Sequence, residues 1–282
     1  MPELPELEVL KEALNHRVLG RPVADAQALR PGILKTVDPP LAALRGRSFT
    51  DVERRGKHLI LSLAPDLHVV LHLMVAGRLV VCRADTRPTK ATGWLVRFAD
   101  GEDLRLVENG SVKGACVYVV RDPLEVPRLA RAGVEPLSPQ FTADALASLA
   151  RGKRRQAKKL LTDQDGIAGI GTAYADEILF AARIAPIRFA NTLRPEELVR
   201  LHASVQTVLG EAMEQIRTRS GDALTEDEDR SFLKIYEREG EPCPICGRRI
   251  AEIRYAQTRT YYCPGCQSSG KTLPDRRSWL TR

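Results

Sequence analysis

The spacing of apolar residues changes along the chain, and the change predicts two kinds of folding unit. Leu7, Leu10 and Leu14 fall on one helical face behind Pro5, whose missing N–H suits the first position of a helix. From Arg47 to Val120 the apolar residues come instead in short runs: Leu59-Ile60-Leu61, Val69-Val70-Leu71, Leu79-Val80-Val81, Trp94-Leu95-Val96 and Cys116-Val117-Tyr118-Val119-Val120. Gly, Pro and Asp turns part them, so they read as strands. Several close strands after one helix predict a β-sandwich or barrel with the helix packed against it, and we take the sandwich, over residues 1–121.

Pro123, Pro127, Pro136 and Pro139 resist continuous helix or sheet, so residues 122–140 read as a linker. Beyond it the pattern becomes helical. Thr142 is placed to cap a helix over 143–150, and a basic stretch from Lys153 to Thr162 follows. The glycine turn Gly166 to Gly171 leads into a helix over 174–182. Pro195 opens a long helix in which Leu198, Leu201, Val205, Val208, Ala212 and Ile216 keep helical spacing; this apolar stripe is structural. The helical domain is expected over 141–236. Within it Ser220 to Arg230, with Asp222, Glu226, Asp227, Glu228 and Asp229, reads as a mobile acidic loop. Residues 268–282 read as a basic tail in which Trp279 is the one sign of docking. The class is α+β, with several domains.

Composition then narrows the partner. A chain of 282 residues with 43% hydrophobic content can bury real cores. Its net charge of +7, with pI near 9.2 and only 5% aromatic residues, favours a basic face aimed at a polyanion over a base-stacking surface. Nucleic acid is the leading partner, against an ordinary basic protein that binds nothing. No apolar run is long enough to span a membrane, and Glu3, Glu6 and Glu8 stand where a signal peptide would carry Lys or Arg. A cytoplasmic location is expected.

Four of the six cysteines form two C-x-x-C pairs, Cys243/Cys246 and Cys263/Cys266, with 16 residues between them. That is the spacing of a four-thiolate ribbon holding one structural Zn2+, over residues 237–267, with a redox dithiol as the alternative. Arg248, Arg249, Arg254 and Arg259 concentrate charge on that hairpin, suited to a phosphate backbone. The turn Gly169-Ile170-Gly171 before a helix offers a phosphate seat, or simply close helix packing. Cys82 and Cys116 read as inert core residues.

The first residues carry a different chemistry. If Met1 is removed, Pro2 becomes a terminal secondary amine. An α-amino group titrates near pH 8, so an appreciable fraction is unprotonated at neutral pH, unlike lysine at about 10.4. Such an amine attacks carbonyl and acetal carbons through a Schiff base, and Glu3 would place a carboxyl group beside the reacting carbon. The plainer alternative is that Pro2 and Pro5 only stiffen the approach to the helix.

The terminal Pro-Glu, the β-rich first domain, helices around a Gly-x-Gly turn and the four-cysteine ribbon together resemble the formamidopyrimidine-DNA glycosylase and endonuclease VIII family of base-excision repair enzymes. The resemblance runs through Met1-Pro-Glu-Leu-Pro-Glu6, Arg54-Arg-Gly-Lys-His58, His72-Leu73, Glu135-Pro-Leu-Ser138, Gly169 to Glu177 and the ribbon. Leu4 after Pro-Glu is closer to the formamidopyrimidine branch. The resemblance implies a helix-two-turn-helix fold for the helical domain, and a monomer acting on damaged DNA in the bacterial cytoplasm, nucleoid-associated when bound. It implies that Pro2 attacks C1′ of a damaged nucleoside, that the base leaves, and that the imine drives β- then δ-elimination. Glu3 would move protons at the sugar, with Lys57 near the lesion and Glu6 as the second N-terminal carboxylate. His72, Lys158, Gly171, Thr172, Tyr174 and Arg259 would hold the DNA around a flipped nucleotide.

Several positions depart from the family pattern. Val75 stands where methionine usually fills the gap left by the flipped base, with Met74 before it. The stretch supplying the other wedge residues is replaced by Val107 to Gly114, so Met74 and Lys113 become the candidates to fill the gap. Thr172 replaces the usual asparagine, and Thr258 takes the usual arginine position, with Arg259 one place later. Removal of oxidised bases is therefore the leading function. An endonuclease VIII-like preference for oxidised pyrimidines and a lesion-binding protein with little turnover are the alternatives. A zinc-ribbon transcription or ribosomal factor would explain only the C-terminus.

Overall fold

The computed structural model describes residues 1–110, 113–152, 154–221, 224, 229–255 and 258–274. Ser111, Val112, Lys153, the acidic residues Asp222 and Glu226 to Glu228, and the tail from Asp275 with Trp279 lie outside the described residues. Contacts divide the chain into two compact units, Met1–Ala132 with Met213–Asp229, and Gly133–Ala212 with Arg230–Arg282.

The first unit is a β-sandwich with a helix packed on it. Helix α1 (Leu4–Val18) precedes eight strands: β1 (Val23–Ala28), β2 (Phe49–Arg55), β3 (His58–Leu63), β4 (Leu67–His72), β5 (Gly77–Arg83), β6 (Thr92–Phe98), β7 (Glu102–Glu108) and β8 (Cys116–Val120). They form two antiparallel sheets, ordered β2-β3-β4-β8 and β1-β6-β7-β5. Leu59, Leu61, Val69, Leu71, Val117 and Val119 of one sheet meet Leu79, Trp94, Val96, Phe98, Leu104 and Leu106 of the other, with Leu7, Leu14 and Val18 of α1 in the same core. The alternate residues Ile60, Val70 and Val120 are buried too, under Val126 and Leu129. That explains why β3, β4 and β8 read as continuous apolar runs rather than as alternation: both of their faces are covered. Leu129 sits on α2 (Pro127–Ala130), a short helix inside the expected linker, so that stretch is not bare.

The second unit holds α3 (Ala143–Gly152), α4 (Ala157–Thr162), α5 (Thr172–Ala181) and most of α6 (Pro195–Ser220). Thr142 caps α3 as expected, its Oγ1 accepting from the Ala145 N–H at 3.1 Å. A two-stranded hairpin, β9 (Ala251–Tyr255) and β10 (Thr258–Tyr262), and a last turn, α7 (Pro264–Gln267), complete it. The start of the basic tail folds back on the hairpin, where the Leu273 N–H donates to the Tyr262 hydroxyl at 2.8 Å. Among the described residues no helix is long and apolar enough to cross a membrane. Cys82 and Cys116 lie on strands, but both are half-buried rather than in the core, because each side chain points away from the inter-sheet cluster.

Candidate active site

Glu3 is the N-cap of α1, with extended backbone at φ −111°, and it forms a reciprocal box with Glu6. The Glu3 N–H donates to Glu6 Oε2 at 2.9 Å, while the Glu3 side chain accepts from the Glu6 backbone. Such a box satisfies orphan donors of the first helical turn and fixes the direction in which the chain leaves it. Glu6 thus holds the backbone on which Pro2 and Glu3 sit. Pro5 takes the second helical position rather than the first. Pro2 and Glu3 are buried, and Met1, 37% exposed, is the outermost residue of the end.

Lys57 is presented by the two-residue turn between β2 and β3, where Arg55 pairs with His58. Gly56 takes φ +57° there, as the first central position of a type II′ hairpin turn requires. The buried Arg54 guanidinium braces this turn: Nη1 donates to the Gly56 carbonyl at 3.0 Å, and Nε donates to Glu8 of α1 at 2.6 Å. Glu8 also meets Lys11, and these two cations hold its carboxyl below the ordinary range against the opposing effect of burial. The helix that begins at Glu3 and the turn that carries Lys57 are therefore joined by one buried ion pair.

His72 ends β4 and packs edge-on against His58 across the strand pair, with ring centroids 4.6 Å apart. Burial, then the neighbouring charge of His72 and Arg128, pushes His58 down to about 3. Burial, then Arg128 and Lys57, pushes His72 down to about 4. Both rings are neutral at physiological pH. The Met74 N–H donates to His72 Nδ1 at 3.1 Å, so the ring proton resides on Nε2 and His72 offers a neutral donor. Met74 adopts φ +53°, a left-handed backbone unusual for this side chain, and lies half-buried against Gly114. Val75, beside it, is 62% exposed. Of the two, the apex of the turn presents valine.

The rebuilt stretch after β7 is pinned at its base. Glu108 is buried and accepts from the N–H groups of Gly114 at 2.7 Å and Ala115 at 2.9 Å, and it pairs with Arg30. Arg30 in turn donates to the Ala115 carbonyl at 3.1 Å. Lys113 is exposed and donates to the Lys90 carbonyl at 2.8 Å. Neither Glu108 nor Arg30 stands out in the sequence, because only the closed loop brings them together.

In the second unit Gly171 caps α5 and the exposed Thr172 opens it. The Gly169 N–H is already donated to Gln164 Oε1 at 2.9 Å, so this part of the glycine turn is braced from within. Two residues expected to touch DNA are buried against protein. Tyr174 is fully buried, on a helix whose residues 173–180 are all buried. Lys158 is buried on α4 and paired with Asp176 at 2.7 Å. Burial raises the Asp176 carboxyl while the Lys158 ammonium and the Tyr261 N–H oppose it. Arg259 is exposed on β10, 3.7 Å from Glu252, and Arg254 pairs with the same carboxylate at 2.6 Å.

The four ribbon cysteines bring their sulfurs within 4.8 Å of one another. Cys243 and Cys266 are 3.8 Å apart and Cys246 and Cys263 3.4 Å, against roughly 3.8 Å for a tetrahedron with Zn–S bonds of about 2.3 Å. The N–H groups of Ile245 and Cys266 point at Cys243 and Cys263 Sγ, stabilising negative sulfur. Gly265 is required, since a Cβ there would lie 2.8 Å from Cys246 Sγ. The donor set fits zinc with no open coordination position.

Three family models match the chain in order. They are the formamidopyrimidine-DNA glycosylase N-terminal domain over residues 1–110, the formamidopyrimidine-DNA glycosylase H2TH domain over 132–222, and the zinc finger found in FPG and IleRS over 240–268. The formamidopyrimidine-DNA glycosylase of Symbiobacterium thermophilum is 38% identical, with 99% of this chain and 93% of the relative covered. That of Moorella thermoacetica is 36% identical over 90% and 95% of the two chains. Among solved structures, the Lactococcus lactis Fpg in complex with abasic-site DNA superposes with a TM-score of 0.85 at 26% identity, covering 94% of this chain and 99% of that one. The MutM (Fpg) protein of Thermus thermophilus gives 0.82 at 31% identity, covering 96% and 100%.

Proposed function

The chain belongs to the formamidopyrimidine-DNA glycosylase family, and from that membership we propose that it is a bifunctional DNA glycosylase and abasic-site lyase that removes oxidised bases in base-excision repair. The observation that carries the reading is the capping box at the N-terminus, which ties Pro2-Glu3 to the first turn of α1 through Glu6. Removal of Met1 turns the Pro2 nitrogen from an amide into a secondary amine. That amine attacks C1′ of a flipped nucleotide, the glycosidic bond breaks, and the base departs with its electron pair and a proton. The C1′–O4′ bond then opens, O4′ taking a proton from Glu3, and the resulting iminium acidifies C2′–H; loss of that proton expels the 3′-phosphate, and a second elimination expels the 5′-phosphate. Hydrolysis of the imine returns the free amine. Glu3 carries the protons at the sugar.

Lys57 supplies positive charge to the lesion and its phosphate, and the neutral His72 Nε2–H donates to a phosphate oxygen. Thr172 and Arg259 are the exposed contacts from the helical and ribbon modules. Cys243, Cys246, Cys263 and Cys266 hold one zinc ion, which supplies structural closure of the ribbon and no reaction chemistry. The protein works as a monomer on damaged DNA in the cytoplasm. The exposed Val75 and the tie of Lys113 to Lys90 favour a second reading of substrate preference: lesions in DNA whose stacking is already weakened, oxidised pyrimidines among them.

Cleavage assays on 8-oxoguanine, formamidopyrimidine, thymine glycol and abasic sites, in duplex and single strand, test both readings. Processed protein is expected to nick at least one oxidised substrate, and Glu3→Gln to lose base release. Binding to abasic DNA with no cleavage anywhere in the panel would instead select a lesion-binding protein.

A further inference from the structure

We propose that Lys158 is a positioning residue: together with Asp176 it grips three consecutive residues of β10 and so sets where the Arg259 side chain meets DNA. This rests on the DNA-binding reading above and assigns Lys158 no phosphate of its own. An ammonium has three protons to donate. Those of Lys158 are directed at the Asp176 carboxylate at 2.7 and 2.9 Å, the Arg259 carbonyl at 2.8 Å and Thr260 Oγ1 at 3.0 Å. Asp176 Oδ2 also accepts from the Tyr261 N–H at 2.9 Å. Residues 259, 260 and 261 are thus each held by one of two charged side chains, both buried.

The hairpin needs such a grip. Two strands alone do not fix their placement on a neighbouring helix; Tyr261, Cys243 and Cys263 pack in one apolar cluster with Phe180 of α5, a contact that buries the hairpin without directing its polar backbone. The next residue of α5 anchors the other side of the module: Glu177 accepts from the N–H groups of Lys234 at 3.0 Å, Ile235 at 2.8 Å and Tyr236 at 2.9 Å. Consecutive carboxylates on one helix therefore bind the chain entering the ribbon and the strand leaving its tip. The metal shapes the module, and the bracket places it. Arg259 has its backbone carbonyl clamped while its head group is exposed, the arrangement of a contact aimed from behind.

The test is a double-mutant cycle between the Lys158→Met/Asp176→Asn pair variant and Arg259→Ala. Neutralising both buried charges leaves neither unpaired, and the Asp176→Asn side chain retains an oxygen for the Tyr261 N–H. Affinity for a duplex with a tetrahydrofuran abasic analogue would be read by anisotropy, and zinc content by mass spectrometry of the metal. The pair variant is expected to keep its zinc and bind about tenfold more weakly, and the combined variant to bind no more than about twofold more weakly than Arg259→Ala alone. A combined variant weaker than Arg259→Ala by the full tenfold would assign Lys158 an independent contact and overturn the proposal. So would loss of zinc from the pair variant, or its binding like wild type. Wild type that fails to bind the duplex would remove the DNA-binding reading itself.

Discussion

The edge-packed histidines His58 and His72 make the first unit sensitive to acid between neutral pH and pH 5. In the unfolded chain both imidazoles titrate near about 6.5, while folding lowers them to about 3 and about 4. Between these limits the unfolded chain binds protons that the folded chain refuses, so stability falls as pH falls. From pH 7 to pH 5 each ring costs roughly 2 kcal/mol, and the pair roughly 4 kcal/mol. These figures hold while both folded values lie well below 5. Urea unfolding at pH 7, 6 and 5, followed by fluorescence in a Trp279→Phe background, isolates this unit, since Trp94 is then the single tryptophan and is wholly buried. His58→Phe, which keeps an aromatic edge against His72, should halve the loss between pH 7 and 5. A wild-type loss under about 1 kcal/mol, or a variant with an unchanged pH profile, would refute the assignment of two buried neutral rings.

Three further outcomes follow from the geometry. Chelation of the metal, or Cys266→Ser, should weaken abasic-duplex binding at least a hundredfold by anisotropy, with recovery of the chelated protein on adding zinc; unchanged binding would show that the ribbon is dispensable. Glu177→Ala leaves three backbone N–H groups without their acceptor, at about 1 to 3 kcal/mol each, so urea unfolding should show a loss of about 3 kcal/mol or more, and Glu177→Gln, which keeps one oxygen, a smaller one. Equal losses in the two variants would count against this role. Arg54→Met strips Glu8 of one of its cations and frees the Gly56 carbonyl; about 2 kcal/mol of stability and most of the single-turnover base release should go together, and retained rates would uncouple the Lys57 turn from α1.

The sandwich, the capped helix α3, the long helix α6 and the four-sulfur cluster were all legible in the sequence, because each rests on local spacing: short apolar runs, Thr142 before its helix, Pro195, and paired C-x-x-C. The hidden features are those made by distant residues meeting. Arg54 and Glu8 are separated by 46 positions, Lys158 and Arg259 by 101, and no periodicity links them. Lys158, in a basic stretch, read as a DNA contact, yet Asp176 and β10 enclose it. His58 carried no signal of its own until the β3–β4 register placed it beside His72. Met74, the apparent substitute for a gap-filling side chain, lies against Gly114, while Val75 takes the apex.

The position of the covalent bond to DNA identifies the nucleophile directly. Processed protein mixed with abasic-site DNA is reduced with borohydride, digested, and mapped by mass spectrometry. The reduced adduct should sit on the N-terminal peptide, bonded to the nitrogen of Pro2, and Met1 should be absent from that peptide. An adduct on the ε-amine of Lys57 or another lysine, or an adduct formed while Met1 remains attached, would show that Pro2 is not the nucleophile.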